Sequence, residues 1–93
     1  MNIFATLHKY ATKWEIKSER DFTEEEIKMV NSAEVVPSNY GNSVCFNMVG
    51  GGMTFIPLSS DSTLTEGQTV DLTKAKLLTL GKEGEADINR IKA

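Results

Sequence analysis

From Ala33 onward the chain alternates short runs of β-branched, aromatic and aliphatic residues with clusters of Asn, Gly, Ser and Pro, so that a turn signal falls about every eight to twelve residues. That spacing leaves no room for helices of ordinary length and confines the chain to strands of about five or six residues joined by tight reversals. The runs are Val35-Val36, Val44–Val49, Met53–Leu58, Gln68–Leu72, Lys76–Leu80 and Asp87–Ile91. Asn39, Gly41 and Asn42 tolerate the positive φ that a reversal needs, and Gly50-Gly51-Gly52 supplies the next one, so the first three runs read as a meander. Pro57 closes the third near its end or at an edge. Val70 and Leu72 share a face of the fourth. The last run is assigned to a strand, although the spacing of Ile88 and Ile91 suits a helix equally. Five or six such strands make a small barrel or sandwich.

Ahead of the β region, Ile3, Phe4, Leu7, Ala11 and Trp14 recur at helical spacing, which predicts an amphipathic N-terminal helix within residues 1–20, with Lys9 and Lys13 on its polar side. Thr23-Glu24-Glu25-Glu26 matches a capping box, and the carboxylates sit where the positive end of a helix dipole favours them. A short helix or single turn through Glu24–Val30 follows, its end ambiguous because Ile27-Lys28-Met29 also alternates. With 93 residues, one domain is expected, its core large enough to need no staple. One cysteine, Cys45, permits no intramolecular disulfide, and with one histidine, His8, the usual Cys/His zinc sets cannot be assembled from one chain. No signal-peptide pattern opens the chain and no apolar run approaches the roughly 20 residues of a membrane span, so the expectation is a cytoplasmic protein without membrane partner, metal or cofactor.

Catalytic chemistry finds little to work with. His8 lies far in sequence from Cys45, so no nucleophile–base pair is suggested, and Cys45 reads as a packed strand thiol. Glu24, Glu25 and Glu26 share one turn and diverge rather than converge. The glycine triplet is followed by a strand rather than by a helix with Gly-Lys-Ser/Thr, which makes it a hairpin turn and not a phosphate cradle. The reading is therefore a binding protein, not an enzyme.

The formal charge of −3 conceals a polarity. Residues 1–20 carry +2, residues 21–73 carry −7 and residues 74–93 carry +2. If the two ends pack together, Lys9, Lys13, Lys17, Arg20, Lys74, Lys76, Lys82, Arg90 and Lys92 form a basic side on an acidic protein, the alternative being scattered solvated lysines. The strand Met53–Leu58 is apolar on both faces. One set must therefore be covered by the N-terminal helix with Trp14, by a second subunit, or by stacked bases.

Ala33–Phe46, Phe55-Ile56-Pro57-Leu58-Ser59, Leu64–Leu72, Lys76–Leu80 and Asp87–Ile91 together resemble small proteins encoded by phages and mobile elements of intestinal bacteria. The resemblance spans residues 22 to 92 and implies a compact OB-like barrel, loosely similar to single-stranded DNA-binding proteins. The sequence departs from the well-known members of that class in having few aromatics and no long acidic tail. The resulting expectation is an α+β, mainly β fold: an antiparallel OB-like barrel over residues 21–93 with a short N-terminal helix. Its function would be single-stranded nucleic-acid binding, with Tyr40 and Phe55 stacking on bases and Lys76, Lys82 and Arg90 meeting phosphates. The rival expectation is a self-associating or protein-binding module acting through Met53 and Phe55, with a homo-oligomer as its product.

Overall fold

The computed structural model describes residues 14–39 and 41–93. In chain order they form β1 (Glu15–Asp21), α1 (Glu24–Lys28), β2 (Val30–Ser38), β3 (Gly41–Met48), β4 (Met53–Pro57), β5 (Lys76–Gly81) and β6 (Ile88–Lys92). The strands make two three-stranded antiparallel sheets, ordered β1-β5-β6 and β2-β3-β4. The second is the expected meander, with Val35 opposite Val44 and Cys45 opposite Phe55. Gly50, Gly51 and Gly52 all have positive φ, between +87 and +103°, a run that residues with a Cβ rarely adopt, and they turn β3 into β4.

Period-2 alternation decides which residues enter the core. Ala33 and Val35 of β2 and Val44 and Phe46 of β3 point inward, and Leu77 and Ile91 meet them from the other sheet. Ile91, Val35 and Val44 are wholly buried, so both sheets share one apolar centre. Phe22 packs on Phe46 with ring centroids 6.2 Å apart. α1 is the expected capped turn: Glu26 N donates to Thr23 Oγ1 at 3.1 Å, and Thr23 N donates to Glu26 Oε1 at 2.9 Å.

Three expectations are corrected. The N-terminal helix does not extend over residues 15–20, which belong to β1: the apolar helical spacing stops at Trp14, and the segment after it finds backbone partners along β5. The part of the predicted helix in residues 1–13 lies outside the described residues. Gln68–Leu72 is not a ladder strand. It touches β2 at a single bridge, Glu34 to Thr69, and bends away where the Asp71 carboxylate accepts bonds from the Thr73 amide and hydroxyl. Val70 and Leu72 are buried as their shared face required. Finally, the described strands do not close into a barrel. β1 and β2 do not pair, and Pro57 has no amide to extend a ladder from β4 to β6, so although these strands lie near each other they are bridged only beyond it, in parallel between Leu58 and Ile91. The final run is a strand, and the helical alternative for it falls away.

Candidate nucleic-acid interface

The outer face of β1-β5-β6 is built rung by rung from its register. Asp21, Lys76 and Lys92 form one rung, Glu19, Leu78 and Arg90 the next, and Ile16, Leu80 and Ile88 the third. Lys76 and Arg90 thus share a face by strand alternation. Lys82 follows β5 directly, and its ammonium sits 5.0 Å from the centroid of the Trp14 ring. Arg90 is half-buried, its guanidinium held by a 3.1 Å bond from Nη1 to the Leu58 carbonyl.

Arg90 stands between two depressions. One, of about 460 Å³, runs toward Trp14 over Ile16, Leu78 and Leu80. The other, of about 300 Å³, runs toward the β2–β3 turn and reaches Gly41 and Asn42. Both are bordered by Arg90, Ser59 and Ser60, so they form one trough with a cation at its middle and an aromatic–cation pair at one end. Asp61 lies on the wall, its carboxyl held below the usual range chiefly by the Ser59 hydroxyl.

The expected basic side is largely neutralised in place. Lys17 pairs with Asp87 at 3.0 Å, Arg20 with Glu26 at 2.7 Å, Lys92 with Glu19 at 3.3 Å and Lys82 with Glu85 at 4.0 Å. Lys76 pairs with Asp21, whose hydrogen bond and charge raise the Lys76 pKa. Two of the pairs, Lys92–Glu19 and Lys76–Asp21, arise because β1 brings Glu19 and Asp21 alongside the cations of β5 and β6. Among the described residues, Lys28, Lys74 and Arg90 make no carboxylate pair. Exposed pairs of this kind contribute only about 0–1 kcal/mol each, so an incoming phosphate can exchange with their carboxylates at small cost.

The five expected nucleic-acid contacts are therefore only partly assembled. Arg90 borders the trough, Lys82 lines neither depression and reaches the site only over the Trp14 ring, and Lys76 shares the sheet face one rung from Arg90. Phe55 does not join them. It lies on the outer face of β2-β3-β4 beside Met53, where the two side chains are 56% and 62% exposed. Tyr40 lies outside the described residues, though Gly41 and Asn42 after it line the far end of the trough. The residue the sequence reading left out is Trp14. Helical spacing had assigned it to an apolar face, whereas its place directly before a β run of alternating charge was the available signal. Cys45 is buried on β3, opposite Phe55 of β4, with its sulfur 3.7 Å from that of Met53. Among the described residues no three His, Cys, Asp or Glu side chains gather to hold a metal ion, and no helix is long and apolar enough to cross a membrane. No protein-family model, curated protein or solved structure matches the chain.

Proposed function

We propose that the protein binds single-stranded nucleic acid along the trough, as a non-catalytic cytoplasmic accessory protein of a phage or mobile element. The observation that carries this reading is the continuous depression on both sides of Arg90, ending at Trp14 with Lys82 against its ring. A single strand needs cations spaced along its backbone and flat apolar surface for its bases; the trough has Arg90 at its middle, apolar surface over Ile16 and Leu80, and Lys82 over the Trp14 ring at its end. Arg90 supplies a fixed fork of donors without a competing carboxylate, and Lys82 a second charge held over the Trp14 ring. Ser59 and Ser60 add hydroxyl groups between them.

An open OB-like arrangement supports the same reading. Taking the Leu58–Ile91 bridge as the junction of the two sheets, the strands run β1-β5-β6-β4-β3-β2, with β1 and β2 as outer strands interrupted by α1. OB-folds bind oligonucleotides between the loop after their first strand and the loop joining their last two. The corresponding segments are the β2–β3 turn, whose Gly41 and Asn42 line one end of the trough, and the β5–β6 loop, whose first residue Lys82 contacts Trp14 at the other.

Fluorescence anisotropy of a labelled oligo-dT at low salt tests the proposal. The expected result is binding that weakens as salt rises, with a slope of about 0.7 log units per phosphate neutralised, and that is reduced by Arg90→Gln. Absence of binding, or binding indifferent to salt, overturns it.

A further inference from the structure

The two sheets have four outer strands, β1 and β6 in one and β2 and β4 in the other; β6 lies toward β4, and the remaining edges are treated differently. β1 is an outer strand of one sheet, but it alternates charges along Glu15–Asp21 and carries a bulge at Lys17, two devices that discourage pairing with another chain. β2 is covered: Val35 N donates to Gln68 O, and the amides of Gly67 and Val70 donate to the carbonyls of Val35 and Ala33. β4 has neither protection. Met53–Pro57 contains no charged residue and no bulge; β6 approaches it, but the two are bridged only past Pro57, where Leu58 pairs with Ile91 and Ser59 N donates to Ile91 O.

The register shows which backbone groups this edge presents. Met48 N bonds to Gly52 O and Leu58 N to Asn42 O, so on this ladder the even-numbered residues of β4 face β3. By antiparallel alternation Thr54 and Ile56 spend their amides and carbonyls on β3, while those of Met53 and Phe55 point away from it. Apart from the ladder with β3, the described residues provide no backbone partner for Met53 or Phe55. Pro57 offers a carbonyl but no amide, which ends the row. Both faces of the edge are apolar. Met53 and Phe55 are exposed on one, and on the other Thr54 and Ile56 border an apolar depression of about 250 Å³ that also touches Phe22, Met29, Phe46 and Met48.

We propose that a second copy of this chain pairs with this edge, β4 against β4, antiparallel about a two-fold axis through Thr54. The pattern is self-complementary. That axis sets Met53 of each protomer opposite Phe55 of its partner, so both residues with free backbone groups form hydrogen-bonded pairs and each thioether meets an aromatic ring. Thr54 faces its own copy as the close, non-hydrogen-bonded pair, and no like charges are brought together because the strand carries none. The result is a continuous six-stranded sheet whose middle strands cover each other's apolar flanks. This inference does not depend on nucleic-acid binding, since neither Met53 nor Phe55 lines the trough.

Sedimentation across micromolar to millimolar concentrations should show a monomer–dimer equilibrium, weakened at least about tenfold by Phe55→Asp, which sets a charge against the partner's apolar side chain. Amide exchange supplies the specific readout: Met53 and Phe55 amides gain protection as concentration rises, while Thr54 and Ile56 amides are protected throughout. In a Cys45→Ser background, Thr54→Cys should form an intermolecular disulfide on mild oxidation, faster than Ser18→Cys on β1. A monomer at every concentration overturns the proposal. So does a dimer in which the Met53 and Phe55 amides stay unprotected and Thr54→Cys does not cross-link, because that dimer would join side-chain faces rather than strand edges.

Discussion

At the scale of single residues the most strongly coupled group is Glu26. Its carboxylate accepts both nitrogens of Arg20, at 2.7 and 3.0 Å, together with the Thr23 amide that completes the helix cap. The Arg20 hydrogen bond is the largest influence holding its pKa at about 2 instead of 4.5. A carboxyl with a depressed folded-state pKa stabilises the fold above its unfolded pKa and loses that contribution as pH falls through the folded value. Glu26→Gln keeps the shape of the capping box and removes the charge. Wild type should therefore exceed this variant in stability near neutral pH, by no more than about the 0–1 kcal/mol of an exposed pair plus its cap contribution. The gap should close as pH drops from about 4.5 toward 2 in denaturant titrations. The Thr-x-x-Glu pattern makes the cap legible from the sequence, but not its Arg20 partner, which depends on β1 ending just before α1 where the sequence alone predicts a helix through residue 20.

At the scale of elements, alternation was the dependable signal wherever a strand had one buried face. β6 shows its force. Ile91 is wholly buried between the sheets, while Lys92 beside it reaches outward to Glu19. Ile91→Ala should cost about 2–5 kcal/mol in denaturant unfolding, and Lys92→Ala within about 0.5 kcal/mol, although one position separates them. Alternation was silent for β1, whose seven residues are all exposed and so carry no apolar pattern, and for Gln68–Leu72, where two buried side chains were enough to suggest a strand that the Asp71 turn cuts short. Capping chemistry and glycine turns are local, and both were read correctly; partners across a sheet are not local.

At the scale of the whole molecule, the two sheets contribute to one core, with Ile91 and Leu77 packed in the cluster that holds Val35, Val44 and Phe46. Neither sheet keeps its apolar face covered if the other unfolds, so unfolding should be a single transition. Thermal melts followed by Trp14 fluorescence, which reports on the β1-β5-β6 side, and by far-ultraviolet circular dichroism should coincide, and separate midpoints would show that the sheets unfold independently. The sequence by itself determined the β character, the meander, the capped turn, the burial of alternating residues and the lack of a disulfide, because each follows from spacing, turn chemistry or counting along the chain. It also showed an acidic middle between basic ends. Only the tertiary structure decided that β1 lies beside β5 and sets carboxylates against those cations, that Phe55 sits on a different sheet from Arg90, and that Trp14 and Lys82 meet. These depend on which strands pair, and pairing between segments distant in the chain is set by the fit of two apolar faces over a shared core, a quantity that no local pattern encodes.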